Sequence, residues 1–397
     1  MSTAERAPAD LPRPPRDPDD DYGPDAAAAR RDFLVEQTGV DLSHAAHYSV
    51  DERSLKGNVE AFVGVAQVPV GLAGPLVLRG EHAQGHVYVP MATTEGTLVA
   101  SYTRGMRVLA ESGGVRTTVV HEAMQRAPVF LLGDARAARE LRLWVEEHLD
   151  EIRTAAEATT SAGRLTTVDA YHVGPNLYLR VNYTTGDAAG QNMTGKATLA
   201  ACEWIQQTHP DRPDFVLSGA IDTDKKHSHV NLLATRGRRV VAEAFIPDEV
   251  LRRRLGVDAE SIQRYRQVAT AGAILAGSAY NGAHAANGLA AIFIACGQDV
   301  ANVSESHAGI TFTELREGGL YWSTTLTSLV VGTYGGGTGL ATQRRWLEVL
   351  GCYGAGKVNR FAEICAGTVL AGDVSLTGAV LAGHWVSSHD RLGRNRD

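Results

Sequence analysis

One stretch limits what this chain can fold into more than any other: Ser218-Gly219-Ala220-Ile221-Asp222-Thr223-Asp224-Lys225-Lys226-His227-Ser228-His229-Val230-Asn231. Apolar Phe215-Val216-Leu217 leads into it, and Val230-Asn231-Leu232-Leu233 reads as a second strand-like segment that closes it. Two carboxylates, two ammonium groups and two imidazoles therefore share one connection between apolar runs, introduced by a Ser-Gly turn signal. A solvated turn is the ordinary fate of Asp-Lys-Lys. Four other segments favour a site here, because they supply an acid, a second carboxylate, a late histidine and anion-cradling glycines.

At 397 residues the chain calls for two or three domains, and 44% hydrophobic residues are enough to bury a real core. The 42 glycines and many alanines point to tight turns and closely packed helices. A net charge of −7 with no basic domain excludes general nucleic-acid binding, so an anionic ligand needs a local basic pocket. Cys202, Cys296, Cys352 and Cys365 form no CxxC pair, which suits a reducing compartment. The N-terminus has acids and prolines in place of a signal peptide, and the most apolar helix candidate, about 285–296, is too short to span a bilayer. The expectation is a soluble, cytoplasmic protein that uses no membrane.

Residues 1–25, with Pro-rich and Asp-rich runs, read as a disordered tail, and 26–60 as an N-terminal helical region. Phe62 to Leu76 reads as a strand broken by Pro and Gly, followed by His86-Val87-Tyr88-Val89. Met91-Ala92-Thr93-Thr94-Glu95-Gly96 then opens a helix, with Thr93 or Thr94 as cap and Glu95 in its first turn. Strand-like runs alternate with an amphipathic helix from about Ala135 to Ala156, the pattern of a small α+β sandwich. A helical stretch over 257–299 ends in Gly297-Gln298-Asp299, and a last helix from about Asn359 to Ala382 delivers His384 and His389.

Several motifs carry less than they promise. The chain has no GxGxxG, which disfavours a Rossmann domain. Gly190 to Lys196 and Gly351 to Lys357 match GxxxxGK but continue with Ala197 and Val358, lacking the hydroxyl that holds Mg²⁺. Gly-rich backbone running into a helix at Gly186–Asn192 can still receive an anion or pyrophosphate. His44 and His47, and likewise His227 and His229, have no further ligand signal nearby, so no metal is expected.

Taken in order, PVGLAGPL at 69–76, MATTEG at 91–96, GDAAGQNM at 186–193, DKK at 224–226, AHAAN at 283–287, GQD at 297–299, GGGTG at 335–339 and AGH at 382–384 resemble the 3-hydroxy-3-methylglutaryl-coenzyme A (HMG-CoA) reductase family. The resemblance covers about residues 55–390, and Ser388-His389 places it nearer the class I branch. It implies an α+β fold in which a small ferredoxin-like cofactor domain (127–217) is inserted into a large CoA-ester-binding domain (61–126 and 230–397), with 218–229 as the linking catalytic loop. It also implies reduction of a CoA thioester to mevalonate with two equivalents of NADPH, NADH being the second candidate, in a homodimer or higher homo-oligomer that completes its sites between subunits.

Carried over residue by residue, the resemblance makes Lys225 the cation beside the thioester oxygen, Glu95 the proton donor and Asp299 the carboxylate coupling them. His389 protonates the departing thiolate. Arg126, Ser218, Asp224, Lys226 and Asn287 meet the acyl substrate, and Asp187, Ala189, Gly190, Gln191 and Asn192 the cofactor. The chemistry asks for these types independently. An ammonium stabilises the oxyanion, a carboxylic acid kept protonated by a second carboxylate supplies the alcohol proton, and an imidazolium matches a thiol leaving group. The chain departs from the family at Ala220-Ile221-Asp222, at Glu60-Ala61, near Thr160-Ser161 and in its tail, where Arg391, Arg394 and Arg396 are candidate substitutes for a basic Asn-Arg end. A reductase of a related acyl thioester and a catalytically silent CoA-ester binder are the alternative readings.

Overall fold

The computed structural model describes residues 12–383. Ten strands carry the architecture: β1 (Val70–Arg79), β2 (Gln84–Ala92), β3 (Arg116–Arg126), β4 (Val129–Leu131), β5 (Arg164–Val173), β6 (Asn176–Thr184), β7 (Asp214–Val216), β8 (Gly237–Pro247), β9 (Gly309–Arg316) and β10 (Gly319–Leu329). β1 and β2 pair as a separate antiparallel ribbon, and the others form one eight-stranded sheet in the order β7-β4-β6-β3-β8-β10-β9, with β5 also on β6. The result is a mixed α+β molecule built on antiparallel sheets.

The long strand β3 joins two halves. Its residues Arg116–Ala123 pair with β8, and Met124–Arg126 pair with β6. Beyond that joint the chain runs from β4 through helices Ala135–Glu147 and Leu149–Glu157 to β5 and β6, then through helix Gln191–Thr208 to β7. The strands lie β7-β4-β6-β5, every pair antiparallel. Alternating residues Leu177, Leu179, Val181 and Tyr183 of β6 meet Leu141, Ala201 and Ile205 of the helices in a core of their own.

The larger core surrounds helix Val358–Leu381, whose residues are buried almost all round. Helix Leu98–Glu111 packs on it with Leu98, Tyr102, Gly105, Met106 and Leu109, a face of helical spacing. At Gly105 a β-carbon would stand 1.8 Å from the Ala371 carbonyl oxygen, so only glycine permits that crossing. Length and composition alone would let Val358–Leu381 cross a bilayer, but 83% of its apolar window is buried inside the protein. It is a core helix, and it passes the length test that the 285–296 segment fails.

Several local expectations need correction. The tail is anchored over its second half: buried Arg30, in helix Pro24–Thr38, donates to the carbonyls of Pro15 (3.1 Å), Asp21 (3.0 Å) and Phe62 (3.2 Å). Residues 62–69 are irregular, and the strand begins at Val70. The helix after β2 starts at Leu98 behind a left-handed Thr97, so Glu95 lies in the preceding turn, where Thr93 Oγ1 accepts its amide at 2.9 Å. His148 divides the expected 135–156 helix in two. Val230–Leu233 is a single helical turn, because the ring of bonds around Asn231 and Ser228 takes the backbone groups a strand would need.

Candidate active site

Between β7 and the turn Val230–Leu233 the loop adopts left-handed backbone at three non-glycine residues, Ala220 (φ 68°), Thr223 (φ 58°) and Lys225 (φ 53°). Such conformations persist where surrounding contacts over-determine them, and they gather at functional sites. Here the contacts are specific. The Gly219 amide donates to Ala127 (2.6 Å) and the Lys225 amide to Glu305 Oε1 (3.2 Å). Fully buried Arg236 donates to the Asp222 carbonyl (3.4 Å), the Gln125 carbonyl (3.1 Å), Glu305 Oε1 (3.2 Å) and Asp224 Oδ1 (2.7 Å). Arg236 and Glu305 escaped the sequence reading; the ionisable Arg236 beside Gly237, just before a strand, was the available signal. Burial pushes the Glu305 carboxyl up against the opposing pull of Arg236.

The outcome of that scaffold is the position of Lys225. Its Nζ lies 2.7 Å from Asp299 Oδ2, with both side chains 44% exposed. The hydrogen bond to Asp299 raises the lysine pKa, so the ammonium is secured. Asp299 is itself held, because its other oxygen accepts the Ala301 amide at 3.1 Å. The sequence-predicted pair is thus assembled within one chain, half open to solvent.

Beside it lies a cavity of about 370 Å³ lined by Ala188 to Met193, Gly297 to Asp299, Asn302 and the loop Gly332 to Thr338. Four predicted cofactor residues, Ala189, Gly190, Gln191 and Asn192, are on its wall. Gly190 (φ 83°) precedes helix Gln191–Thr208, whose N-terminus has no side-chain cap, leaving its first amides free for an anion. At Gly332 a β-carbon would meet the Ala189 amide nitrogen at 2.8 Å, so the two loops approach as only glycine allows. These features fit a pyrophosphate-bearing cofactor. Gln191 links the cavity to the loop, donating to Asn302 Oδ1 (2.9 Å) and Asp224 Oδ1 (3.2 Å).

Asp187, the fifth residue of the expected cofactor set, is not on the cavity wall. Its carboxylate accepts the amides of Gly356 (2.8 Å), Lys357 (3.0 Å) and Val358 (3.2 Å), holding the start of the long core helix. Arg126 is brought to the loop, with Nη1 at 3.3 Å from Asp222 Oδ2 and 3.5 Å from Asp224 Oδ2, and Ser218 Oγ donates to Asp222 Oδ2 at 3.2 Å. Lys226 Nζ donates to the Asp224 carbonyl at 2.9 Å and is exposed.

Within one chain Glu95 stands toward the opposite end of helix Ala285–Ala295 from Asp299. It accepts from Asn287 Nδ2 at 3.4 Å, at the start of helix Ala285–Ala295, whereas Asp299 follows that helix's far end. The part of the helix from Asn287 to Ala295, about 12 Å at 1.5 Å per residue, lies between them. His389, His384 and the basic tail lie outside the described residues. Among the described residues, Glu81, His82 and Glu363 stand close enough to share an ion. Glu363, however, accepts the amides of Glu81 (3.1 Å), His82 (3.0 Å) and Ala83 (2.6 Å), which makes it a clamp on the β1–β2 turn.

An ammonium paired with a carboxylate at the rim of a glycine-walled, anion-accepting cavity is the layout of an enzyme that polarises a carbonyl next to a bound nucleotide. Comparison with known proteins gives the particular family. Residues 26–394 match the model of the hydroxymethylglutaryl-coenzyme A reductase family, and the chain belongs to that family. It is 44% identical over 378 residues to the 3-hydroxy-3-methylglutaryl-coenzyme A reductase of Pyrococcus abyssi, covering 93% of each chain. It is 43% identical over 373 residues to the enzyme of that name from Methanothermobacter thermautotrophicus, covering 93% of this chain and 94% of that one.

Among solved structures, the 3-hydroxy-3-methylglutaryl-coenzyme A reductase of Streptococcus pneumoniae superposes with a TM-score of 0.66 at 18% identity, covering 89% of this chain and 96% of that chain. A class II enzyme from the same species, bound to NADPH, gives 0.66 at 18% identity over 89% and 97%. At that identity the likeness shows the fold alone. It lends no support to the class I-like expectation.

Proposed function

We propose that this protein reduces HMG-CoA to mevalonate and CoA in two hydride steps, with NADPH as the reductant, as a member of the mevalonate route to isoprenoids. The observation that carries the reading is the Lys225–Asp299 pair at 2.7 Å on the rim of the Gln191–Thr338 cavity. Ala189, Gly190, Gln191 and Asn192 hold the nicotinamide dinucleotide, which supplies the hydrides. NADPH is favoured over NADH by its presence in a family structure of the same fold.

Lys225 presents its ammonium to the thioester oxygen, where negative charge develops, and a preorganised cation there is worth several kcal/mol. Asp299 keeps that ammonium charged and aimed. Glu95 donates the proton that completes the alcohol, and His389 protonates the departing CoA thiolate. Arg126, Ser218, Asp224 and Lys226 hold the acyl end, and Asn287 orients Glu95.

The separation of Glu95 from Lys225 supports a homodimer or higher oligomer in which a second copy brings its Glu95 to this Lys225. Exposed Leu233, Ile274 and Leu275 (86%, 74% and 89%) provide apolar surface for such a contact. The strand order β7-β4-β6-β5 with its β-α-β-β-α-β sequence supports a ferredoxin-like cofactor domain over 127–217, inserted in a substrate domain of 61–126 and 230–397. The class I-like branch rests on the Ser388-His389 pair of the sequence. A cytoplasmic location is inferred with it.

The test is loss of reduced-nicotinamide absorbance, with NADPH and NADH each crossed against HMG-CoA and other acyl-CoAs. Two cofactors consumed per CoA released is expected. One per CoA, or reduction of a different thioester only, would transfer the assignment to a related acyl reductase, and silence with all of them to a CoA-ester binder.

A further inference from the structure

We propose that Asp222 is a resident counter-anion for Arg126, displaced when an acyl carboxylate arrives, and that the buried guanidinium of Arg180 receives it. The inference rests on the assignment of Arg126 to the acyl carboxylate made above.

Asp222 is fully buried, and its Oδ2 lies 3.3 Å from Arg126 Nη1 and 3.2 Å from Ser218 Oγ. Asp224 Oδ2 lies 3.5 Å from the same Nη1. The groups meant for a substrate carboxylate are thus already engaged by two carboxylates of the chain's own loop. A third would meet strong like-charge repulsion unless one withdraws. Yet Arg126 Nε is buried without a partner, a donor still available to an incoming oxygen.

Asp224 is the poorer candidate to move, since Arg236 Nη2 (2.7 Å) and Gln191 Nε2 (3.2 Å) hold its other oxygen. Asp222 is held less firmly. Among the described residues, apart from Ser218 and Arg126, its carboxylate accepts only the Asp224 amide, at 3.4 Å.

Arg180 supplies the destination. It is 1% exposed, and its Nε and Nη2 are buried without any hydrogen-bond partner. A buried cation left in that state is costly, and an arriving carboxylate would relieve it. Arg180 precedes Val181, the residue opposite Arg126 in the β3–β6 register. The loop lies over this part of β6: a β-carbon on Gly219 would stand 2.7 Å from the Tyr178 ring. Asp169, Tyr171 and Asp222 are the acidic groups whose fields act on the Arg180 guanidinium. In the free protein Asp222 neutralises Arg126, and in the complex the substrate does so while Asp222 neutralises Arg180. Position 222 thereby sets how well the pocket discriminates acyl chains with a terminal carboxylate from those without one.

The experiment compares HMG-CoA with 3-hydroxy-3-methylbutyryl-CoA, the same acyl chain lacking the terminal carboxylate, in steady-state reduction by the parent, Asp222→Asn, Arg180→Met and the double variant. Asp222→Asn should lower KM for HMG-CoA about tenfold, the scale of one hydrogen bond to a charged group, while leaving kcat and the second thioester within about threefold. Arg180→Met should raise KM for HMG-CoA by about tenfold and spare the second thioester, and adding Asp222→Asn should restore it. Equal effects on both thioesters, or a raised HMG-CoA KM in Asp222→Asn, would overturn the proposal. If Asp222→Asn does not fold by circular dichroism, Arg180→Met decides alone, because it removes a buried charge whose Nε and Nη2 have no hydrogen-bond partner; an unchanged KM there overturns the proposal. A parent that reduces only the carboxylate-free thioester overturns the function assigned above, and a parent that reduces HMG-CoA without the variant pattern overturns the exchange alone.

Discussion

Lys225 Nζ meets Asp299 Oδ2 at 2.7 Å although 73 positions in the chain and a helix boundary separate them, because Arg236 and Glu305 fix the lysine backbone from below. The proposed catalytic cation is therefore aimed by a buried pair, Arg236 and Glu305. Both layers can be tested separately.

Lys225→Ala removes the cation and leaves its left-handed backbone position, where alanine is no worse than lysine. The half-exposed Asp299 it abandons is solvated, so the fold should survive. Turnover should fall by roughly a hundredfold or more, as for loss of an oxyanion donor. Thioester affinity, measured by competition, should change little. Near-parental turnover would show that Lys226 can take over the position.

Arg236→Met addresses the lower layer. It leaves buried Glu305 and half-buried Asp224 without their shared cation, and breaking such a pair costs about 3–5 kcal/mol. Denaturant unfolding should show that loss. The double variant Arg236→Met with Glu305→Leu should recover part of it, since an apolar replacement of a buried ion pair is often tolerated. A single variant as stable as the parent would mean that water already screens the site.

How much of this was legible beforehand depends on the range of the interaction. Lys225, Asp299 and the Ala189–Asn192 wall were readable because each sits in a short, dense motif whose residue types match a chemical demand. Asp187 was singled out for the same reason, without its partners. A carboxylate in a Gly-rich loop looks like a ligand group, and only the tertiary approach of Gly356–Val358 gives it another partner. The single turn Val230–Leu233 read as a strand because four apolar-flanked residues carry no usable period. Arg236 carried only the faint signal of a charge entering a strand, and its burial with Glu305, like that of Arg180, was out of reach, since nothing in one sequence says which charges are buried together.

A third prediction follows from the placement of Glu95 toward the opposite end of helix Ala285–Ala295 from Asp299. If a second copy supplies Glu95, chains carrying Glu95→Gln and chains carrying Lys225→Ala are each inactive alone. Co-refolded, they should regain up to about a quarter of parental activity, the share of sites that draw both intact residues in a random dimer. Sedimentation should show a dimer or larger. A fully active monomer, or no recovery in verified mixed dimers, excludes the shared site.

The last prediction concerns acid stability and His284. This ring is buried against Tyr102, with centroids 4.7 Å apart, and its amide donates to the buried Asp373 carboxylate at 2.9 Å. Burial lowers its pKa from 6.5 to about 4, with Asp373 opposing and Arg104 reinforcing the shift. The folded state therefore holds the ring neutral between those values, while the unfolded chain binds a proton there. The sign follows: this contribution to stability is fully present above about pH 6.5 and is lost as pH falls toward 4. A shift of that size corresponds to an upper bound of about 3 kcal/mol. Unfolding midpoints should accordingly drop between pH 7 and pH 4.5, and the drop should shrink in His284→Phe, which keeps the ring contact with Tyr102 and cannot titrate. Ser101 Oγ, at 3.4 Å from Nε2, loses only a weak partner in that variant. An identical pH slope in parent and variant would assign the acid sensitivity to other groups.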